Sequence, residues 1–274
     1  MKIHFLGTAA AEGWPAVFCT CDYCQSARTL GGKNIRTRQQ LLIDDTLLID
    51  LGPDTYHHAL TQGLELYRVE ACLITHPHQD HYYPAELGMH YPPFAHGAHT
   101  LTLYGSQRTL DVCQEVLKDP AARGVQLQEV KPFEPFDAGD AHIVPLNALH
   151  ARDRLCMFYL IEKGGKVFLQ GYDTGWYPEE TWAALAAYAK AGGRLDAVAM
   201  DCTSGVLREG TNHSGLPDNI EIRAKLQELG LAKPDTRWIL THFSHNSGLL
   251  HDELAQAAGA EGFEVAYDGW LVEI

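Results

Sequence analysis

The 274-residue sequence predicts an α/β (α+β) fold of two packed mixed sheets with helices on their outer faces. Three observations carry this. Short apolar runs of strand length recur in both halves of the chain, and helical segments with clear stop signals stand between them. No low-complexity stretch or linker divides the sequence. Residues 1–274 therefore read as one domain of two similar halves, about 1–130 and 131–274.

In chain order, strand-like runs fall at Ile3–Leu6, Gln40–Ile43 and Thr46–Asp50, the last two parted by an Asp44-Asp45 turn. The intervening stretch from Gly7 to Gly32 is rich in Gly, Pro and Cys with little periodicity, and reads as a loop. A helix from Pro53 to about Gln62 has proline in its first turn and Gly63 at its stop. Strands at Val69–Thr75, Thr100–Tyr104 and Val125–Val130, with a helix over Gln107–Leu117, complete the first half. In the second, strands are expected at His142–Leu149, Leu155–Glu162 and Lys166–Gln170, the last pair joined by the hairpin turn Lys163-Gly164-Gly165. A helix over Glu179–Ala191 ends at Gly192-Gly193. Leu195–Met200 is a buried-strand run ending at Asp201-Cys202. Helices over Asn219–Leu229 and Leu250–Ala258 flank a strand at Trp238–Thr241. Glu264–Tyr267 and Trp270–Glu273 then close the chain as a hairpin through Asp268-Gly269.

No apolar run approaches the roughly 20 residues of a membrane-spanning helix, so no membrane partner is expected. The start, Met1-Lys2-Ile3-His4-Phe5-Leu6, reads as a strand without the long apolar core of a signal peptide, and the expected location is cytoplasmic. Seven cysteines, an odd and irregularly spaced set, do not form a disulfide framework. Cys72, Cys113, Cys156 and Cys202 lie in apolar surroundings and read as small core residues.

The chemistry is concentrated in His76-Pro77-His78-Gln79-Asp80-His81, directly after the apolar run Ala71-Cys72-Leu73-Ile74-Thr75. Neutral imidazoles with an ionised carboxylate are the ligand set of a borderline divalent ion such as zinc, manganese or iron. His76 and His78 are two apart and share one side of an extended segment, which Pro77 favours at His76. Asp80 and His81 follow after a turn and can face a second ion. A His-rich surface loop is the bland alternative, but the motif sits at a strand end, where active-site loops concentrate.

This H-x-H-x-D-H pattern resembles the metallo-β-lactamase-fold hydrolases, and the resemblance implies a four-layer αβ/βα sandwich. It also implies a later His, then an Asp, then a late His, each at a strand end. The chain offers His150, Asp173 and His242 in that order after apolar runs. By that resemblance His76, His78 and His150 hold one divalent ion, Asp80, His81 and His242 the other, and Asp173 bridges. Asp50, at the end of Leu47-Leu48-Ile49, resembles the acidic residue that braces the first metal loop.

Cys19-Thr20-Cys21-Asp22-Tyr23-Cys24 places three thiols within reach of one soft cation, and a fourth ligand would close a structural zinc site. His245, three residues beyond His242, is the candidate. A redox pair is the other reading, but the motif lacks the helix-start setting of a thioredoxin-type pair. The Gly-rich start, the C-x-C-x-x-C loop and the late Thr241-His242-Phe243-Ser244-His245 resemble the PhnP-like phosphodiesterases of carbon–phosphorus lyase systems. PqqB-like proteins share a similar Cys loop. In PhnP-like enzymes a His from the region of His213 acts near the leaving group, so Asp80 and His213 are the expected catalytic residues; an exposed loop His is the bland reading of the latter.

The resemblance thus implies a hydrolase with two active-site divalent ions (zinc or manganese, or iron) and one structural zinc, acting on a small phosphodiester, cyclic or linear. Two such ions, about 3.5–4 Å apart, lower a water's pKa and clamp substrate oxygens. With two carboxylates and a hydroxide they leave about +1 in the pocket, within a chain of net charge −14. An anionic small ester fits that field. A long nucleic acid does not, because it needs many Lys and Arg contacts. Lactone or thioester hydrolysis, a PqqB-like biosynthetic role and a non-catalytic metal-binding relative remain alternatives, and the oligomeric state is open, a dimer included.

Overall fold

Every short apolar run of the sequence alternates its faces, and that alternation builds three core layers between and outside two sheets. The computed structural model describes residues 1–274. The first sheet draws on β1 (Lys2–Gly7), β2 (Gln40–Ile43), β3 (Leu47–Ile49), β4 (Ala71–Leu73), β5 (Leu101–Gly105) and β6 (Val125–Glu129). The second draws on β7 (Phe136–Ala138), β8 (Ala141–Asn147), β9 (Met157–Lys163), β10 (Lys166–Gly171), β11 (Leu195–Asp201), β12 (Ala232–Thr241) and β13 (Glu264–Val265). A last strand, β14 (Trp270–Glu273), returns to the first sheet. The strand orders are β14-β1-β2-β3-β4-β5-β6 and β13-β12-β11-β10-β9-β8-β7. Six helices cover the outer faces: α1 (Asp22–Leu30), α2 (Thr55–Gln62), α3 (Gln107–Leu117), α4 (Glu179–Lys190), α5 (Leu216–Glu228) and α6 (His251–Ala260). None is long and apolar enough to cross a membrane.

Residue alternation sorts the core. On β2, Leu41 and Ile43 point between the sheets, where they join Phe5, Tyr159, Ile161, Phe168 and Ile239. Leu42 points the other way, to Leu103 and to Leu110, Cys113 and Leu117 of α3. On β10, Phe168 faces inward while Leu169 packs outward with Leu185 of α4, Ile222 of α5 and Leu254 of α6. The expected two-sheet architecture with outer helices is what forms.

Four local expectations need correction. The stretch before Gly32 is not all loop, because Asp22–Leu30 folds as α1 with Cys21 as its N-cap, accepting from the Cys24 N–H. Second, Glu264–Val265 and Trp270–Glu273 do not form a hairpin. The former pairs in parallel with β12 and the latter antiparallel with β1, so the chain crosses between sheets. The half-buried Asp268 anchors that crossing, accepting from the hydroxyls of Thr8 and Thr37, each at 2.6 Å. Third, β12 starts at Ala232, six residues early, because a register shift against β11 absorbs the segment around Pro234. Fourth, α2 starts at Thr55 with Asp54 in the N-cap position, and the Asp54 carboxylate is engaged by Arg38 at 2.9 Å rather than capping the helix.

His58, which carries no motif, is 1% exposed and sits in this scaffold. Its Nδ1–H donates to Gln40 Oε1 at 2.6 Å, and its Nε2 meets the Thr37 hydroxyl at 2.6 Å. Burial pushes it down from 6.5 to about 4. The unfolded chain takes up a proton first, so this contribution is complete above pH 6.5 and is lost as pH falls toward 4. The effect is about 3 kcal/mol for a site of this kind. Melting temperature is therefore expected to fall over that window, and to fall less in His58→Gln; parallel curves would remove this assignment.

Candidate metal centre

Strand ends from both sheets converge on one edge of the sandwich, and each delivers a polar group there. β3 and β4 run parallel and deliver Asp50 and the 76–81 loop. Parallel β10, β11 and β12 deliver Asp173, Asp201 and His242, and His150 follows β8. Asp50, Asp173 and His242 adopt left-handed backbone angles (φ of 66°, 54° and 60°), an uncommon conformation for residues with a side chain. Gly52 is needed for a different reason: a Cβ there would collide with the Asp80 carbonyl oxygen, so only glycine lets the metal loop lie so close.

The structure brings the seven expected ligand residues and His213 together. His76 Nε2 lies 2.8 Å from His78 Nδ1, and His150 Nε2 lies 3.2 Å from the same atom. Asp173 Oδ2 is 3.2 Å from both His76 Nε2 and His81 Nε2. One carboxylate oxygen thus stands between two groups, His76-His78-His150 and Asp80-His81-His242, in each of which the ligand atoms lie within 4.8 Å of one another. Asp50 sits behind the loop. Its Oδ1 accepts from the backbone N–H and hydroxyl of Thr75, both at 2.9 Å, and its Oδ2 is 2.7 Å from His81 Nδ1. It therefore holds both the loop backbone and one imidazole.

The donor set fits divalent cations on two counts. Three polar atoms in the buried centre, His81 Nε2, His242 Nε2 and Asp173 Oδ1, have no hydrogen-bond partner. Orphaned groups so deeply placed are costly unless something else satisfies them. Ionisation gives the second count. Burial, with His81 nearby, pushes His76 down to about 4, leaving its lone pair free to ligate. Asp173 and Asp80 are held below the usual carboxylate range in spite of burial, Asp173 chiefly by His242 and His213 and Asp80 by His81. His81 is pushed up although burial opposes it, because Asp80 and Asp50 draw a proton there, the neutralisation a cation would otherwise provide.

Sequence reasoning did not single out Asp201. Its Oδ2 is 3.1 Å from His213 Nδ1 and 3.3 Å from His242 Nδ1, and Thr203 Oγ1 sits among the three. His213 Nδ1 is also 3.2 Å from Asp173 Oδ1. Burial disfavours charge on His213, but Asp201 and then Asp173 prevail and raise it to about 11. The available signal was position: Asp201 ends a wholly buried strand as Asp173 and Asp50 follow theirs. Glu12 and Ser244, which line the same cavity of about 340 Å³, carried no signal of their own.

The thiols form a second cluster. Cys19, Cys21, Cys24 and His245 bring their ligand atoms within 4.8 Å of one another, with His245 Nδ1 3.5 Å from Cys21 Sγ and 3.9 Å from Cys19 Sγ. Backbone N–H groups of Cys21, Cys24 and Ala16 each approach a sulfur at 3.4 Å. The motif does start a helix, contrary to expectation. The Cys24 N–H lowers Cys21 to about 6, whereas burial raises Cys24 to about 11. Four converging ligands, one an imidazole, favour a closed cation site over a redox pair.

Fold and ligand geometry together define a metallo-β-lactamase-fold hydrolase. The chain belongs to the beta-lactamase superfamily domain family, whose model matches residues 45–243. It is similar to a crystallographically solved diphosphatase from the PhnP family, at 25% identity and a TM-score of 0.75, over 100% of this chain and 97% of that one. It shares its fold with Zn(2+)-bound PqqB from Methylobacterium extorquens, at 19% identity and a TM-score of 0.74, over 100% of both chains. A segment of 163 residues is 31% identical to an octanoyltransferase of Porphyromonas gingivalis (strain ATCC BAA-308 / W83). That match takes in 56% of this chain but only 31% of that protein.

Purified protein is expected to carry about three divalent ions per chain, two removed by mild chelation and one retained by the thiols. Cys21→Ser should lose the retained ion and melt at lower temperature, as read by elemental analysis and calorimetry; unchanged melting would mean that no structural ion is held there.

Proposed function

We propose that this protein is a phosphodiesterase acting on a small phosphate ester, cyclic or linear. The observation that carries the reading is the Asp201–His213 pair beside Asp173. Its imidazole, 3.1 Å from the Asp201 carboxylate, stands at the wall of the same cavity as both ligand groups, where a departing alkoxide needs a proton. When bound, two divalent ions, zinc or manganese, would supply Lewis acidity toward the phosphoryl oxygens and an activated water. The thiol cluster would hold a structural zinc.

The chain's own residues then divide the work. His76, His78 and His150 would hold one ion and Asp80, His81 and His242 the other, with Asp173 shared. Asp50 keeps the 76–81 loop and the His81 ring in register. Asp201 holds the proton on His213 Nδ1, with Thr203 fixing that ring and His242 against each other. The cavity suits a small molecule, and a net charge of −14 disfavours long nucleic acid.

Asp173→Ala is expected to abolish hydrolysis of bis(4-nitrophenyl) phosphate while the fold persists in circular dichroism; full retained rate would sink the two-ion reading. His213→Ala should slow diesters with alkyl alcohol leaving groups about 10²-fold or more, and 4-nitrophenyl esters far less. Thioesters, whose thiolate departs without a proton, provide the contrast: if they are the faster substrates and indifferent to His213, acyl hydrolysis replaces this proposal.

A further inference from the structure

Of the three carboxylates that line the cavity, Glu12 alone belongs to neither ligand group. It is carried by the segment after β1, which is pinned on both sides. Ala10 N–H donates to Phe243 O at 2.9 Å, Arg38 Nε donates to Ala11 O at 2.9 Å, and Trp14 N–H donates to Arg36 O at 2.8 Å. The side chain is fixed as well, since Oε1 accepts from the Ser244 hydroxyl at 2.5 Å. His245 Nε2 is 3.8 Å away, too far for a hydrogen bond, so bracing His245 does not account for this carboxylate. Oε2 accepts nothing from the protein, and the side chain is 31% exposed.

The rest of the wall makes this oxygen consequential. No Lys or Arg lines the cavity, so apart from the ions only a protonated His213 would neutralise negative charge on a substrate there. A fixed carboxylate beside that position repels a second charge and accepts a hydrogen bond from whatever group lies against it. We infer that Glu12 selects the substrate: a phosphodiester with a single negative charge, whose alcohol part carries a hydrogen-bond donor that Oε2 accepts. The donor is a hydroxyl or an ammonium. This rests on the phosphodiesterase reading.

The methyl, 2,3-dihydroxypropyl and 2-aminoethyl esters of 4-nitrophenyl phosphate share phosphorus and leaving group, so ratios of their kcat/KM report the alcohol part alone. The metal-loaded protein is expected to prefer a donor-bearing ester over the methyl ester by about tenfold, the scale of a hydrogen bond to a charged group. Whichever ester leads identifies the donor as hydroxyl or ammonium. Glu12→Ala should bring the ratio close to one, through KM. Glu12→Gln should keep part of a hydroxyl preference and lose an ammonium preference. Calorimetric affinity for glyceryl or 2-aminoethyl methylphosphonate, unreactive single-charge analogues of the two donor-bearing esters, should show the same loss. The inference is overturned if the unaltered protein shows no preference. It is also overturned if Glu12→Ala lowers all three rates in proportion while zinc content and melting temperature fall, which would make Glu12 a bracket for the thiol site. Turnover of a thioester with none of the three phosphodiesters would overturn the phosphodiesterase reading itself, and this inference with it.

Discussion

One buried carboxylate organises this molecule. Asp173 is 3% exposed and meets ring nitrogens of His76, His81, His150 and His213 at 3.2 Å. His76 and His81 arrive from the first sheet; His150, His213 and His242 arrive from the second. Imidazoles packed this closely, with their lone pairs turned to a common centre, repel unless a positive charge lies among them. Asp173 fixes where that charge must be. The left-handed turn at Asp173, repeated at His242, is the strain that aims these side chains, and the two sheets behind them hold it.

Behind that centre stands a ring of groups that do not need an ion to be useful. Asp50 binds both Thr75 and His81, so the first metal loop is held by backbone and side chain at once. Asp201 performs the corresponding service on the other sheet, for His213 and His242 through Thr203. Both carboxylates draw a proton toward the imidazole beside them. Asp50 turns His81 toward Asp173, whereas Asp201 holds His213 and His242 beside that same carboxylate.

Period-two alternation made most strands legible, since each has one face toward the shared core and one toward a helix layer. The ligand series was legible because its members must end strands, in an order set by topology. Three features were not. Helix α1 is nine residues long and hidden by the cysteines, Gly and Pro around it; its stability comes from Cys21 capping and from Cys24 and Ala27 buried against the second sheet's outer core. The split of the last two strands between sheets depends on Asp268 finding Thr8 and Thr37, hundreds of residues away in sequence. Asp201 looks like any strand-end acid until the fold sets it beside His213. Local periodicity reveals elements, but pairings of distant polar groups emerge only in three dimensions.

The thiol cluster is no separate module, because the segment Thr241–His245 supplies a residue to each site. His242 faces Asp173, and three residues on His245 faces Cys19 and Cys21. Between them Phe243 is fully buried, with its backbone N–H bonded to Thr8 and its carbonyl to Ala10, the segment that leads to Glu12 and the cysteines. A cation drawn between the thiols and His245 would therefore tension the same short stretch that sets the left-handed turn at His242. The loop after β1 is tied at one end by these bonds and at the other by α1. Its geometry, and with it the wall of the cavity, depends on a site that touches no substrate. Structural and reactive chemistry share one peptide segment, so neither can shift without moving the other.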